Sequence, residues 1–319
     1  MKKLAVVALG GNALLRNNQI GTIQEQEANT RETLKNLIFL IKENYDLVIT
    51  HGNGPQVGNI LMQNDAGEIL YNIPQMPMDV CVADSQGSIA YMIEKELRNL
   101  LKEENIEKDI ISLITQIVVD KNDIAFKNPQ KRIGRIYPKK EAEKLEREKS
   151  WIFKKSPKVK DGWRRVVPSP KPIEIFNIKT IEKIARSGAI IIASGGGGIP
   201  VHLSDNKFFK SSEAVIDKDA SSSLLASKIN ANEFYILTDV PYVFLDFNKK
   251  NQKKLEFLNE KDAKKYLKEG KFGEGNMSPK IVASLDFIKN GGEKSVITEA
   301  TKLEDKTFGT KITMEYENF

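Results

Sequence analysis

Cysteine is almost absent from these 319 residues. Cys81 stands alone, so no internal disulfide can form, and with only His51 and His202 there is no Cys/His cluster of the kind that holds a structural zinc. Long apolar runs are missing too. The longest, Leu4–Leu9 and 189–193, fall far short of the roughly 20 residues needed to span a bilayer, so no membrane association is expected. Met1-Lys2-Lys3 starts like a secretory n-region, but the apolar stretch behind it stops at Gly10-Gly11-Asn12, and a cytoplasmic protein is expected. Charge of one sign does not dominate either. The formal +6 arises from 49 basic and 43 acidic residues that are interspersed almost everywhere, without aromatic-plus-basic recognition motifs, which argues against nucleic acid as a partner. Three nucleotide fingerprints are also lacking. There is no G-x-x-x-x-G-K-[ST], the segment from Gly52 to Gly58 misses the dinucleotide-binding spacing by one residue, and no H-R-D or D-F-G occurs.

What is present is a rhythm of short apolar runs and amphipathic stretches. Strands are expected at 3–9, 46–50, 110–119, 188–193, 233–238, 295–298 and 310–314, and helices at 22–44, 56–65, 83–103, 219–230, 260–269 and 278–290. Thr22 and Glu25 have capping-box spacing, Ser278-Pro279 reads as an N-cap followed by proline at the first helical position, and a hairpin is expected near 248–251. Continuous apolar strands alternating with helices predict an α/β fold whose open, mainly parallel sheet is sandwiched between helices. The length suits two lobes, 1–210 and 211–319. Residues 128–172 break the rhythm with scattered Pro, Lys and Arg around a charged helix at 139–149, and a small protruding subdomain is expected there.

Three glycine clusters follow strands: Gly10-Gly11-Asn12, Gly52-Asn53-Gly54, and the run 195–198 that includes Gly195 and Gly196. Backbone N–H groups at such junctions approach an anion closely, and in open parallel sheets ligands bind at the carboxyl ends of strands. Each cluster alone reads as well as a tight turn; together they favour a phosphate cradle. Two lysines, Lys218 beside Asp217 and Asp219, and Lys280 after a glycine-rich loop, suit the neutralisation of charge in phosphoryl transfer. The two aspartates either orient those ammonium groups or cap the following helix. His51 reads as structural rather than catalytic.

At this point whole segments resemble the carbamate kinases of the amino acid kinase superfamily. They are residues 7–14, 50–58, 78–87, 128–131, 163–170, 213–219 and 237–240. The Ser85-Gln86-Gly87 and Trp163-Arg164-Arg165 segments are those of carbamate kinases, while the glycine junctions belong to the wider superfamily. The resemblance implies reversible phosphoryl transfer between ATP and carbamate, used to make ATP in arginine or related nitrogen catabolism. It implies a carbamate cradle at Gly10, Gly11, Asn12, Gly52, Asn53, Gly54, Gly195 and Gly196, with Arg164 a further contact, and catalytic roles for Lys218, Lys280, Lys131, Asp217 and Asp219. Lys131 would reach over carbamoyl phosphate from the protruding subdomain. Lys218 would replace the lysine that many superfamily members carry before the first glycines. The nucleotide, ATP or ADP with its Mg²⁺, would lie in the second lobe around Thr238, Asp239, Val240, Tyr242, Gly273, Gly275, Met277 and Ser278, with no metal held by the protein alone. A homodimer through the helix around 80–96 is also implied. A sister kinase of the same fold and a catalytically idle binding regulator are the competing readings.

Overall fold

The computed structural model describes residues 2–16, 19–156, 159–273, 277–305 and 307–315. Its centre is an eight-stranded sheet in the order 257–259, 310–313, 294–299, 233–238, 4–9, 46–51, 190–192, 110–112. Every pairing is parallel except that of Lys294–Glu299 with Thr310–Thr313. The sheet runs unbroken past the expected lobe boundary, because Leu4–Leu9 pairs with Asp46–His51 on one side and with Glu233–Thr238 on the other.

The reason for the continuous apolar strands is that both faces are covered. Leu4, Val6 and Ala8 point into one core, beneath helices Ile178–Arg186, Lys218–Lys228 and Met277–Lys289. Ala5, Val7 and Leu9 point into the other, beneath Ile23–Lys35, Ile38–Lys42 and Met78–Glu103. The expected capping box forms: Thr22 Oγ1 accepts from the Glu25 amide at 3.3 Å, and the Glu25 carboxylate accepts from the Thr22 amide at 2.9 Å.

Three expectations need correction. The helix expected over 22–44 is two helices, Ile23–Lys35 and Ile38–Lys42. The Asn36 side-chain amide donates to the Glu32 carbonyl at 2.9 Å and takes the acceptor its own backbone N–H would use, so that N–H turns to Thr33 O. The strand expected over 110–119 is also two elements. Ile110–Ser112 stays in the main sheet, whereas Gln116–Val119 joins a second, four-stranded sheet with 172–175, 199–203 and 209–211. Side chains hold the corner between them: the Thr115 amide donates to Gln86 Oε1 at 2.8 Å, and Thr115 Oγ1 accepts from the Ser194 amide at 2.9 Å. Ser278, expected as an N-cap, lies inside Met277–Lys289. Pro279 falls in that helix's first turn, where its missing N–H costs no intrahelical bond.

The hairpin 243–245/253–255 forms around the expected turn. Residues 131–167 build a separate three-stranded sheet with Gly162–Val167 in the middle, backed by helix Lys139–Lys149 and an apolar cluster of Tyr137, Ala142 and Phe153. It stands over the carboxyl ends of the main-sheet strands and is called the lid below.

Candidate active site

Three helices begin at one cleft of about 350 Å³ between the main sheet and the lid. Gly54–Tyr71 starts there with Gly54 and Pro55, Lys218–Lys228 starts with Lys218, and Met277–Lys289 brings Pro279 and Lys280. Converging helix N-termini bring backbone N–H groups and the positive ends of their dipoles to one place, an environment suited to phosphate. Gly10, Gly11, Gly52, Asn53, Gly54 and Gly196 line the same cleft. At Gly11 and Gly54 a side chain would meet no atom within 4 Å, so the bare backbone there leaves room for a ligand. Gly196 has the opposite reason to be glycine: its φ is +65°, and a Cβ would sit 2.2 Å from the Asn53 side-chain amide. Asn12 lies in the 3-10 turn Gly11–Ala13.

The floor of the cleft is a buried charge cluster. Asp219 Oδ1 accepts from Lys218 Nζ at 2.5 Å, and its Oδ2 accepts from Lys280 Nζ at 2.8 Å. All three side chains are 12 % exposed or less. Burial by itself would raise the Asp219 carboxyl, but the two ammonium groups outweigh it and hold the group well below the usual carboxylate range. Lys218 is pulled the other way: burial lowers it and the Lys280 charge adds to that, against the attraction of Asp219. Asp217 has a different task. Its Oδ1 caps the helix by accepting from the Asp219 and Ala220 amides at 3.0 and 3.3 Å, and its Oδ2 accepts from Lys131 of the lid at 2.9 Å. Burial opposes ionisation of Asp217, and the Lys131 charge wins, leaving it depressed. The sequence left open which aspartate orders the lysines; Asp219 contacts both.

His51 lies beneath the cradle. Its ring donates from Nδ1 to the Gly52 carbonyl at 3.0 Å, and desolvation lowers it to about 4, so it is neutral near pH 7. Behind the loops, Asn53 donates to Ser85 Oγ at 2.8 Å, and Gln86 donates to the carbonyls of Gly195 and Thr115 at 2.9 and 3.2 Å. Ser85 and Gln86 thus fix two glycine junctions, a role that sequence reasoning missed: it took the Ser-Gln-Gly segment only as a mark of resemblance.

Not every expected residue reaches the cleft. Gly195 sits behind it, pressed against His51. Arg164 donates to the Gly134 carbonyl at 2.8 Å within the lid. Thr238 and Asp239 line the cleft at the end of their strand, whereas Val240, Tyr242, Gly273, Met277 and Ser278 are outside its lining. Tyr242 stacks on Phe308 with ring centroids 5.5 Å apart. Gly275 lies outside the described residues. Arg132, which sequence reasoning passed over, lines the cleft beside Lys131.

The family model described as the amino acid kinase family matches residues 3–299. A carbamate kinase from Pyrococcus horikoshii is 47% identical over 317 residues, covering 98% of this chain and 100% of that protein. The chain belongs to the carbamate kinases of the amino acid kinase family. A carbamate kinase from Pyrococcus furiosus is 46% identical, covering 98% and 99% of the two chains. Among solved structures, carbamate kinase from Giardia lamblia bound to AMP-PNP superposes with a TM-score of 0.89 at 36% identity, covering 98% of each chain. Membership makes this carbamate kinase a phosphotransferase of the same α/β fold. Among the described residues, no helix is long and apolar enough to cross a membrane.

Proposed function

We propose that the protein transfers a phosphoryl group reversibly between ATP and carbamate, working towards ATP in the cytoplasm during arginine or related nitrogen catabolism. The observation that carries the reading is the Asp219 carboxylate held between Lys218 and Lys280 on the floor of a glycine-walled cleft. Phosphoryl transfer asks little covalent chemistry of the protein and much fixed positive charge around the moving group. The carbamate oxygen attacks the γ-phosphorus in line. Being an anion already, it needs no general base, which agrees with a neutral, buried His51.

The residues divide by position. On this reading Gly10, Gly11, Asn12, Gly52, Asn53, Gly54 and Gly196 of the lobe 1–210 hold the carbamoyl phosphate side, and Thr238 and Asp239 of the lobe 211–319 begin the nucleotide side. Lys218 and Lys280 stabilise the transferring group, and Asp219 fixes both. Lys131 closes over the substrate from the lid and excludes water. No group of three or more His, Cys, Asp or Glu side chains that would hold a metal by itself occurs among the described residues. Mg²⁺ would enter on the nucleotide, and Asp239, exposed in the cleft and without a lysine partner among the described residues, would be the carboxylate to meet it. A homodimer is proposed through the helix around 80–96, where Val80 and Tyr91 are exposed.

The test is ATP formation by the purified protein from ADP, Mg²⁺ and carbamoyl phosphate, with acetyl phosphate and N-acetylglutamyl phosphate as parallel donors. Synthesis from carbamoyl phosphate alone is expected. Activity with another donor only would assign a sister reaction, and inactivity with all three would make the protein a binding regulator.

A further inference from the structure

Behind the lid, on the side away from the cleft, a crevice of about 300 Å³ separates Arg165 and Trp151 of the lid from Glu213 and residues 75–78 of the body. Arg165 projects from the middle lid strand, opposite Ile133 on the strand that begins with Lys131. Its guanidinium stacks on the Trp151 ring at 3.9 Å, and among the described residues it has no hydrogen-bond or ion-pair partner. Burial lowers Arg165, with Glu213 the first charge to oppose that. Its nitrogens are therefore left to the solvent of the crevice, and Arg is suited to a forked bond with carboxylate.

The carboxylate across the crevice is well placed to supply that partner. Glu213 Oε1 accepts from the Met78 amide at 3.2 Å, at the start of Met78–Glu103, which fixes the side chain, and among the described residues its second oxygen has no partner. Glu213 also stands at the head of the segment running through Val215 and Ile216 to Asp217, the residue that holds Lys131. The outer edge of the lid is pinned meanwhile by Lys149, which donates to Asp65 at 2.9 Å and Glu68 at 3.3 Å.

We infer that Arg165 and Glu213 are positioning residues for lid closure: as the lid pivots on the Lys149–Asp65 contact, Arg165 crosses the crevice to Glu213, and this seats Lys131 over the substrate's anionic group. The inference rests on the lid's role in the proposed reaction. Neither residue touches the cleft, so both act through Lys131. The pairing forms only in the closed state, and the binding energy of the phosphate-bearing substrate is what closes the lid.

Glu213→Gln keeps the acceptor for Met78 and removes only the charge, on an exposed side chain that folding tolerates. It is expected to raise KM for carbamoyl phosphate roughly tenfold, with KM for ADP and the melting temperature unchanged. Arg165→Met should do the same, and the double variant should be no worse than either single one, as expected of two groups serving one contact. Trp151 emission, read in a Trp163→Phe background, should respond to carbamoyl phosphate in the parent and respond less in Glu213→Gln. An active parent whose KM for carbamoyl phosphate is unmoved by Glu213→Gln, or additive losses in the double variant, would overturn the inference. An inactive parent would overturn the assigned reaction instead.

Discussion

The floor of the cleft and the lid above it are both held by lysine–aspartate contacts, yet the two are built to opposite standards. On the floor, Lys218, Lys280 and Asp219 are at most 12 % exposed and share one carboxylate. In the lid contact, Lys131 and Asp217 are 34 % and 32 % exposed. A pair one-third exposed is screened by solvent and contributes on the order of 1 kcal/mol, so it breaks readily when a better anion arrives. A buried cluster is different, because losing one member strands the others in low dielectric. On the proposed function, the floor is fixed before the substrate binds, and the lid contact is a placeholder that substrate exchanges for itself. Fixed charge serves transition-state stabilisation, and exchangeable charge serves capture and release.

The largest effect should separate the two regions kinetically. Lys280→Ala is expected to lower kcat by about 10²–10⁴-fold with the fold intact, as for a charge that acts on the transition state. Lys131→Ala should lower kcat/KM by roughly 10–100-fold and act mainly through KM for carbamoyl phosphate. Steady-state kinetics of both variants decide it. If Lys131→Ala lost as much kcat as Lys280→Ala with KM unchanged, the lid would be part of the fixed machinery and the contrast would fail.

A second effect tests how dry the floor is. His51 is lowered to about 4 from an ordinary 6.5, chiefly by desolvation. The unfolded chain then binds more protons than the folded one between those values, so stability is complete above the upper value and is lost as pH falls towards the lower. The loss should reach roughly 2 kcal/mol by pH 5. Asp217 and Asp219 are depressed carboxylates whose contributions disappear only at lower pH, and the depressed glutamates such as Glu233 begin to lose theirs only near pH 5, so the histidine dominates the interval from pH 7 to pH 5. Urea unfolding at pH 7 and pH 5 should show the slope in the parent protein and its loss in His51→Gln. An identical slope in both would mean that water reaches the ring.

The same contrast marks what could be read from sequence. Strand 233–238 and the charged helix 139–149 have the expected bounds because period and composition alone specify them. The glycine junctions and the lysines Lys218 and Lys280 converge on one cleft because carboxyl ends of parallel strands share an edge. What escaped was set by long-range partners. The corner at Thr115 is made by Gln86, 29 residues away, and nothing in the apolar run 110–119 announces it. Arg164 and Arg165 are adjacent basic residues in a lid strand, and only the lid's packing shows that one bonds Gly134 and the other stacks on Trp151.

The smallest effect tests how finely the lid must be seated. Gly58, within helix Gly54–Tyr71, has no room for a side chain: a Cβ would lie 3.0 Å from Gly134 Cα and 3.2 Å from its nitrogen, backbone atoms that cannot rotate away. Gly58→Ala must therefore lift the lid by a few tenths of an ångström. Alanine is also the better helix former by about 1 kcal/mol, which offsets the strain, so the melting temperature should barely move. KM for carbamoyl phosphate should still rise about two- to fivefold, since a displaced Lys131 meets its ligand less well, while kcat stays near the parent value because the floor is untouched. A fall in kcat with KM unchanged would show that lid and floor move as one body, and the division between fixed and exchangeable charge would have to be abandoned.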